Sequence, residues 1–242
     1  MTYSSRSRRG RTVLGAAALG LCVAAGSQAH AAEFLFGFSG YDGNETLTLN
    51  LSSGGPVVLN TGGRQGWWSA TDPNSPGNTN YFVGNPFPDS AAQYLRDFLT
   101  FDISGLTGKT VTGATLSMTN DTAASDSGRT HLQYSLWDVS TPAGVLDNTG
   151  GTSAAIFHDL GSGVSYGSYS VPVSFSSNPD TFSLNANGVA AINAAIGHGA
   201  ADFSIGGSLP SPNTGVPEPA SLGLLAAGLL GLAVTRRRCV TR

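Results

Sequence analysis

Polar and apolar residues alternate in short runs along the middle of this chain, and both ends abandon that pattern for uncharged stretches. From Glu45 to Leu51, Leu47, Leu49 and Leu51 alternate with Thr46, Thr48 and Asn50, the period of a strand with one buried face. Phe98 to Ile103 repeats it, with Leu99, Phe101 and Ile103 on one side and Thr100 and Asp102 on the other. Thr110 to Asn120 sets Ala114, Leu116 and Met118 against Thr115, Ser117 and Thr119. Thr130 to Val139 sets Leu132, Tyr134 and Leu136 against His131, Gln133 and Trp137. Turn formers such as Ser53-Gly54-Gly55-Pro56, Ser104-Gly105 and Asp147-Asn148-Thr149-Gly150-Gly151 separate the runs. One segment follows a different period: Val189, Ile192 and Ile196 are spaced for a helix that opens on Asn185 or Asn187 and stops at Gly197. A last strand through Phe203 and Ile205 follows, so the pattern predicts an all-β antiparallel sandwich or barrel with one short helix.

The C-terminus reads differently. Val216-Pro217-Glu218-Pro219 precedes an apolar run from Leu222 to Val234, and Arg236-Arg237-Arg238 closes it. The run has no polar face, which suits lipid. A helix from Ala220 to Thr235 would cover roughly 24 Å, short of the ~30 Å hydrocarbon core, so this is a marginal anchor. Pro217 and Pro219 lack backbone donors and keep the segment before it extended. The three arginines hold the C-terminus in the cytoplasm and put the preceding domain outside.

At the other end, Arg6, Arg8, Arg9 and Arg11 precede an apolar stretch from Val13 to Ala25, and Ala29-His30-Ala31 has the small-x-small form of a signal peptidase site. Cleavage after Ala31 is expected. Arg11 stands where a twin-arginine signal needs a large apolar residue, and Leu21 before Cys22 stands where a lipoprotein signal needs Gly or Ala. The chain thus divides into a signal peptide (1–31), a β domain (32–210), a linker (211–215), a terminal signal (216–238) with its span at about 220–235, and a cytoplasmic tail (239–242).

The order of tripeptide, short apolar span and basic stop resembles the PEP-CTERM sorting signal of exopolysaccharide-producing Gram-negative bacteria. That resemblance implies recognition by an exosortase, an intramembrane cysteine protease-like enzyme, a transient single-pass state in the inner membrane, and delivery to the cell surface or medium. It implies an exosortase-type enzyme, the membrane and exopolysaccharide as partners, in the setting of a biofilm matrix, to which the leader adds signal peptidase. An ordinary single-pass anchor with a proline-rich stalk is the plainer alternative. The segment from about 90 to 210, with its Phe98–Ile103 and Val111–Leu116 pair, looks like the jelly-roll domains of bacterial surface and matrix proteins; this likeness concerns fold alone.

Removing both tags changes the charge. Only Arg64, Arg96, Lys109 and Arg129 are basic between residues 32 and 215, against fourteen acids, a formal charge of −10 where the whole chain has −3. Such a domain repels phosphate backbones, which excludes nucleic acid as a partner. Cys22 and Cys239 both lie in the tags, so the domain has no disulfide and must be held by burial.

Chemistry is sparse. The domain lacks H-E-x-x-H, G-x-S-x-G and a cysteine nucleophile, and its three histidines, His131, His158 and His198, are dispersed, so no catalytic residues and no enzyme activity are expected. Asp42, Asn44 and Glu45 in one loop, and Asp121 and Asp126 in another, offer oxygen ligands for a structural calcium ion; Asp and Asn are equally good turn residues. No other cofactor is expected. Trp67, Trp68 and Trp137 are candidate stacking faces for a glycan, the alternative for each being a place in the core. Adjacent Trp67 and Trp68 must point to opposite sides of a strand. The expectation is a structural surface or matrix protein, with a carbohydrate-binding module as the alternative.

Overall fold

The computed structural model describes residues 33–37, 45–86, 94–125, 128–174 and 178–210. Two antiparallel sheets share one core. The larger is built from β10 (Ser165–Pro172), β9 (His131–Asp138), β12 (Asp202–Ser208), β6 (Leu95–Asp102), β5 (Val83–Asn85), β1 (Glu33–Leu35) and β8 (Ala124–Ser125) in that order, with β4 (Gln65–Ser69) also paired to β6. The smaller runs β11 (Asp180–Ser183), β7 (Val111–Met118), β2 (Thr46–Leu51), β3 (Val57–Asn60). Residues before 90 therefore supply five strands, including half of the smaller sheet, so the sandwich reaches well beyond the 90–210 segment.

The expected alternation is realised in the register. Leu47 and Leu49 of β2 lie opposite Leu116 and Ala114 of β7, and all four are buried against the larger sheet's Leu99, Phe101, Leu132, Tyr134, Leu136 and Ile205. Rings tie the layers together: Phe36 packs edge-on to Tyr134 at 4.7 Å between centroids and to Phe182 of β11 at 6.1 Å. Trp137 stands on the opposite side of β9, as the alternation requires.

A helix, α3 (Ala186–Gly197), closes one flank. Asn185 caps it, its side chain accepting from the Asn187 and Gly188 amides at 2.9 and 3.2 Å. Ile192 and Ile196 enter the core, and the Asn193 amide bonds both the N–H and the C=O of Val111, anchoring the helix to the start of β7.

The outer side of β6 is covered too. Two short helices, α1 (Ala143–Leu146) and α2 (Ala154–Asp159), lay Leu146, Ile156 and Leu160 over Trp68 and Phe98, a second small core outside the sandwich. Leu160 backbone atoms would lie 2.8–2.9 Å from a side-chain carbon at Gly206, so only glycine lets that segment close on β12. Burial on both sides explains why β6 is the most enclosed long strand.

Arg64 pins this layer. Its Nε donates to Asp147 at 2.9 Å, and its two terminal nitrogens bond both oxygens of Asp202 at 2.5 and 3.0 Å, joining α1 to β12. The Asp202 hydrogen bond dominates in holding the guanidinium pKa above its usual range. Arg64→Lys keeps the charge and loses the fork. With all three side chains about one-third exposed, it should lower stability by on the order of 1 kcal/mol, less in high salt, read from denaturant midpoints.

Candidate functional site

The three tryptophans do not converge. Trp68 is buried at 5 % exposure and donates from Nε1 to the Leu146 carbonyl at 3.2 Å. Its place under α1 and α2 removes it as a stacking face, because a covered ring cannot meet a sugar. Trp67 is half-buried on the other side of β4, in register with Asp97 of β6. Trp137 is half-buried on the outer side of the larger sheet, where Nε1 donates to Ser208 Oγ at 2.9 Å and holds the ring in place.

Around Trp137 the sheet is a comb of small polar groups. Ser208 of β12 lies opposite Ser135 of β9, and Ser135 lies opposite Ser168 of β10. Ser135 Oγ and Ser168 Oγ are 2.8 Å apart, and Gln133 Nε2 donates to Ser168 Oγ at 2.9 Å. Gln133 and Ser168 are exposed. An indole beside ordered hydroxyl and amide groups is the combination that takes a sugar: an apolar ring face for C–H groups, donors and acceptors for hydroxyls. The polar alternation of β9 was visible in the sequence. The contributions of Ser168 and Ser208 were not, being 33 and 71 residues from their partners.

Of the calcium candidates, Asp42, Asn44 and Asp126 lie outside the described residues. Glu45 is buried just before β2, and Asp121 follows β7. Both act on the buried Tyr81 hydroxyl, whose pKa is driven up first by burial and then by Glu45, with Asp121 adding to it. The fold thus brings Glu45 and Asp121 toward one phenol. Among the described residues, no three His, Cys, Asp or Glu side chains are grouped to hold a metal.

The histidines stay apart: His131 begins β9, His158 lies in α2 and His198 ends α3. Asp159, beside His158, accepts from the amides and hydroxyls of Ser140 and Thr141 at 2.6–3.3 Å, fastening α2 to the loop after β9.

Ala29, Ala31, Val216, Pro217, Glu218, Pro219 and Arg236 to Arg238 lie outside the described residues. Their assignment rests on the pattern of the chain, and comparison with known families bears on the C-terminal ones. Residues 215–238 match the PEP-CTERM protein-sorting motif. The chain carries an exosortase sorting signal. This PEP-CTERM signal marks an exported protein that passes through a membrane-anchored state and is processed by an exosortase-type enzyme. No curated protein and no solved structure matches the chain. Among the described residues no helix is long and apolar enough to cross a membrane, and the apolar run of the PEP-CTERM signal lies beyond them.

Proposed function

We propose that this is a non-enzymatic surface or matrix protein whose β domain works in contact with exopolysaccharide after release from its anchor. The observation carrying this reading is the PEP-CTERM motif, whose match begins at residue 215, with only four residues between it and Pro210, which closes a domain packed around a single sandwich core. With so short a connection, the sandwich itself is the delivered cargo. The acidic balance of the domain favours a neutral or cation-bridged polysaccharide over an acidic one.

A second reading, a carbohydrate-binding module, is favoured by the Trp137 face with Gln133, Ser135, Ser168 and Ser208. The two readings separate in a pull-down on the host's own polysaccharide. If the face binds, Trp137→Ala should weaken retention about tenfold, the equivalent of one stacked ring, while the domain stays folded. Trp67→Ala should leave retention unchanged. Equal retention of parent and Trp137→Ala would point to a scaffold role with another contact surface; no retention of the folded parent would sink both polysaccharide readings.

A further inference from the structure

The two tags leave the domain from the same end. β1 is antiparallel to β5, β5 to β6 and β6 to β12, so β1 begins where β12 finishes. Contacts agree. A side chain at Gly84 of β5 would strike the Glu33 carbonyl and would lie 2.7 Å from Leu209 Cδ1, so the first strand and the last residues of the domain close on one glycine. Its φ of +102° is a second reason for glycine there. Just before β6, the Tyr94 hydroxyl lies 2.8 Å from the carbonyls of both Leu209 and Pro210 and fastens the exit.

The tethers beyond are short. Six residues from Pro210 to Val216 reach at most about 20 Å, and ten from Pro210 to Ala220 at most about 35 Å. One residue, Ala32, separates Ala31 from Glu33. β6 alone is about 26 Å long, so only a leash stretched almost to its limit could bring the far end of the sandwich as near an anchor as the tag end.

Charge has the same polarity. Arg129 stands at the tag end, 3.5 Å from Glu33. Asp102, Asp138, Asp147 and Asp202 gather at the other end, where β6 and β9 finish and β12 begins, and outnumber the cations Arg64 and Lys109 that stand there with them. An anionic bilayer surface repels these acids least when they point away from it.

We infer that, in the anchored state, the Glu33–Tyr94–Leu209 end of the sandwich faces the bilayer surface and the Asp102–Asp202 end points outward. This rests on the membrane-anchored reading of the sorting signal. The Trp137 face then stands along the membrane normal and stays open to polysaccharide before the anchor is cut.

The test uses the full chain with Cys22→Ser and Cys239→Ser in phosphatidylglycerol–phosphatidylethanolamine vesicles that carry nitroxide headgroups. A single fluorophore is attached through Thr130→Cys at the tag end or Ser104→Cys at the far end, both exposed positions. Quenching several-fold stronger at 130 than at 104 is expected. Equal quenching, or stronger quenching at 104, in chains that float with the vesicles would overturn the orientation alone. Failure of the chain to float would overturn the anchored state on which it rests.

Discussion

Asp97→Asn should make the domain more stable than the parent at pH 8 and less stable at pH 4. Asp97 is fully buried in β6, and its two oxygens each lie 3.1 Å from the Tyr134 hydroxyl. Burial, opposed by that hydrogen bond, pushes its pKa up to about 8. In the unfolded chain the same carboxyl releases its proton near pH 4. Between those values the folded state binds the extra proton, so stability falls as pH rises from about 4 to about 8 and is flat outside that window. A tenfold change in proton affinity corresponds to about 1.4 kcal/mol, which makes the full swing across the window several kcal/mol.

Asparagine keeps the acceptor for Tyr134 and removes the titration. It also adds a buried N–H donor, at a cost of about 1–3 kcal/mol if unmet, and this dominates at pH 4, where the parent's carboxyl is already neutral. The two denaturant-midpoint curves should therefore cross. Parallel curves between pH 4 and 9 would mean that Asp97 does not titrate as its burial requires.

Gly207→Ala should be among the most damaging single substitutions. Gly207 pairs with Asp97 on one edge of β12 and with Leu136 on the other. A methyl group there would overlap Asp97 Oδ1 and the Tyr134 hydroxyl. Both are fully buried, so neither can swing into solvent. Overpacking costs roughly 1–3 kcal/mol, and separating the Tyr134–Asp97 pair adds the desolvation of an unmet polar group, for a total on the order of 3 kcal/mol or more. Chemical denaturation reads this directly, and a loss below about 1 kcal/mol would contradict the packing. Gly105→Ala is the control, since nothing lies within 4 Å of the added carbon.

Much of this fold was legible because several strands keep one buried face over six to eight residues: β2, β7 and β9 show it in their alternation, and α3 in its spacing and Asn185 cap. β10 was hidden by a physical irregularity. Its register shifts between Ser165 and Gly167, so Tyr166 and Val171, both buried, sit at positions of opposite parity. β1 and β5, at three residues each, are too short to show any period. α1 and α2, at four and six residues, carry no helical stripe, yet they decide that Trp68 is core while Trp137 is not.

Nothing in Leu95-Arg96-Asp97-Phe98 marks Asp97 as a buried acid, because its partner is 37 residues away. Sheet pairing makes such sites, and local pattern does not record it. The sorting signal is the opposite case, with tripeptide, apolar run and basic stop contiguous in the chain. Address was therefore readable from residues in line, while the candidate binding face needed three strands brought together.

The central claim is that the sandwich is released from its anchor by cleavage at the sorting signal. Mass spectrometry of the protein recovered from the surface and medium of its own cells tests it most directly. The expected result is a C-terminus near Pro217 to Pro219; an intact chain ending at Arg242, retained in the inner membrane, would contradict it.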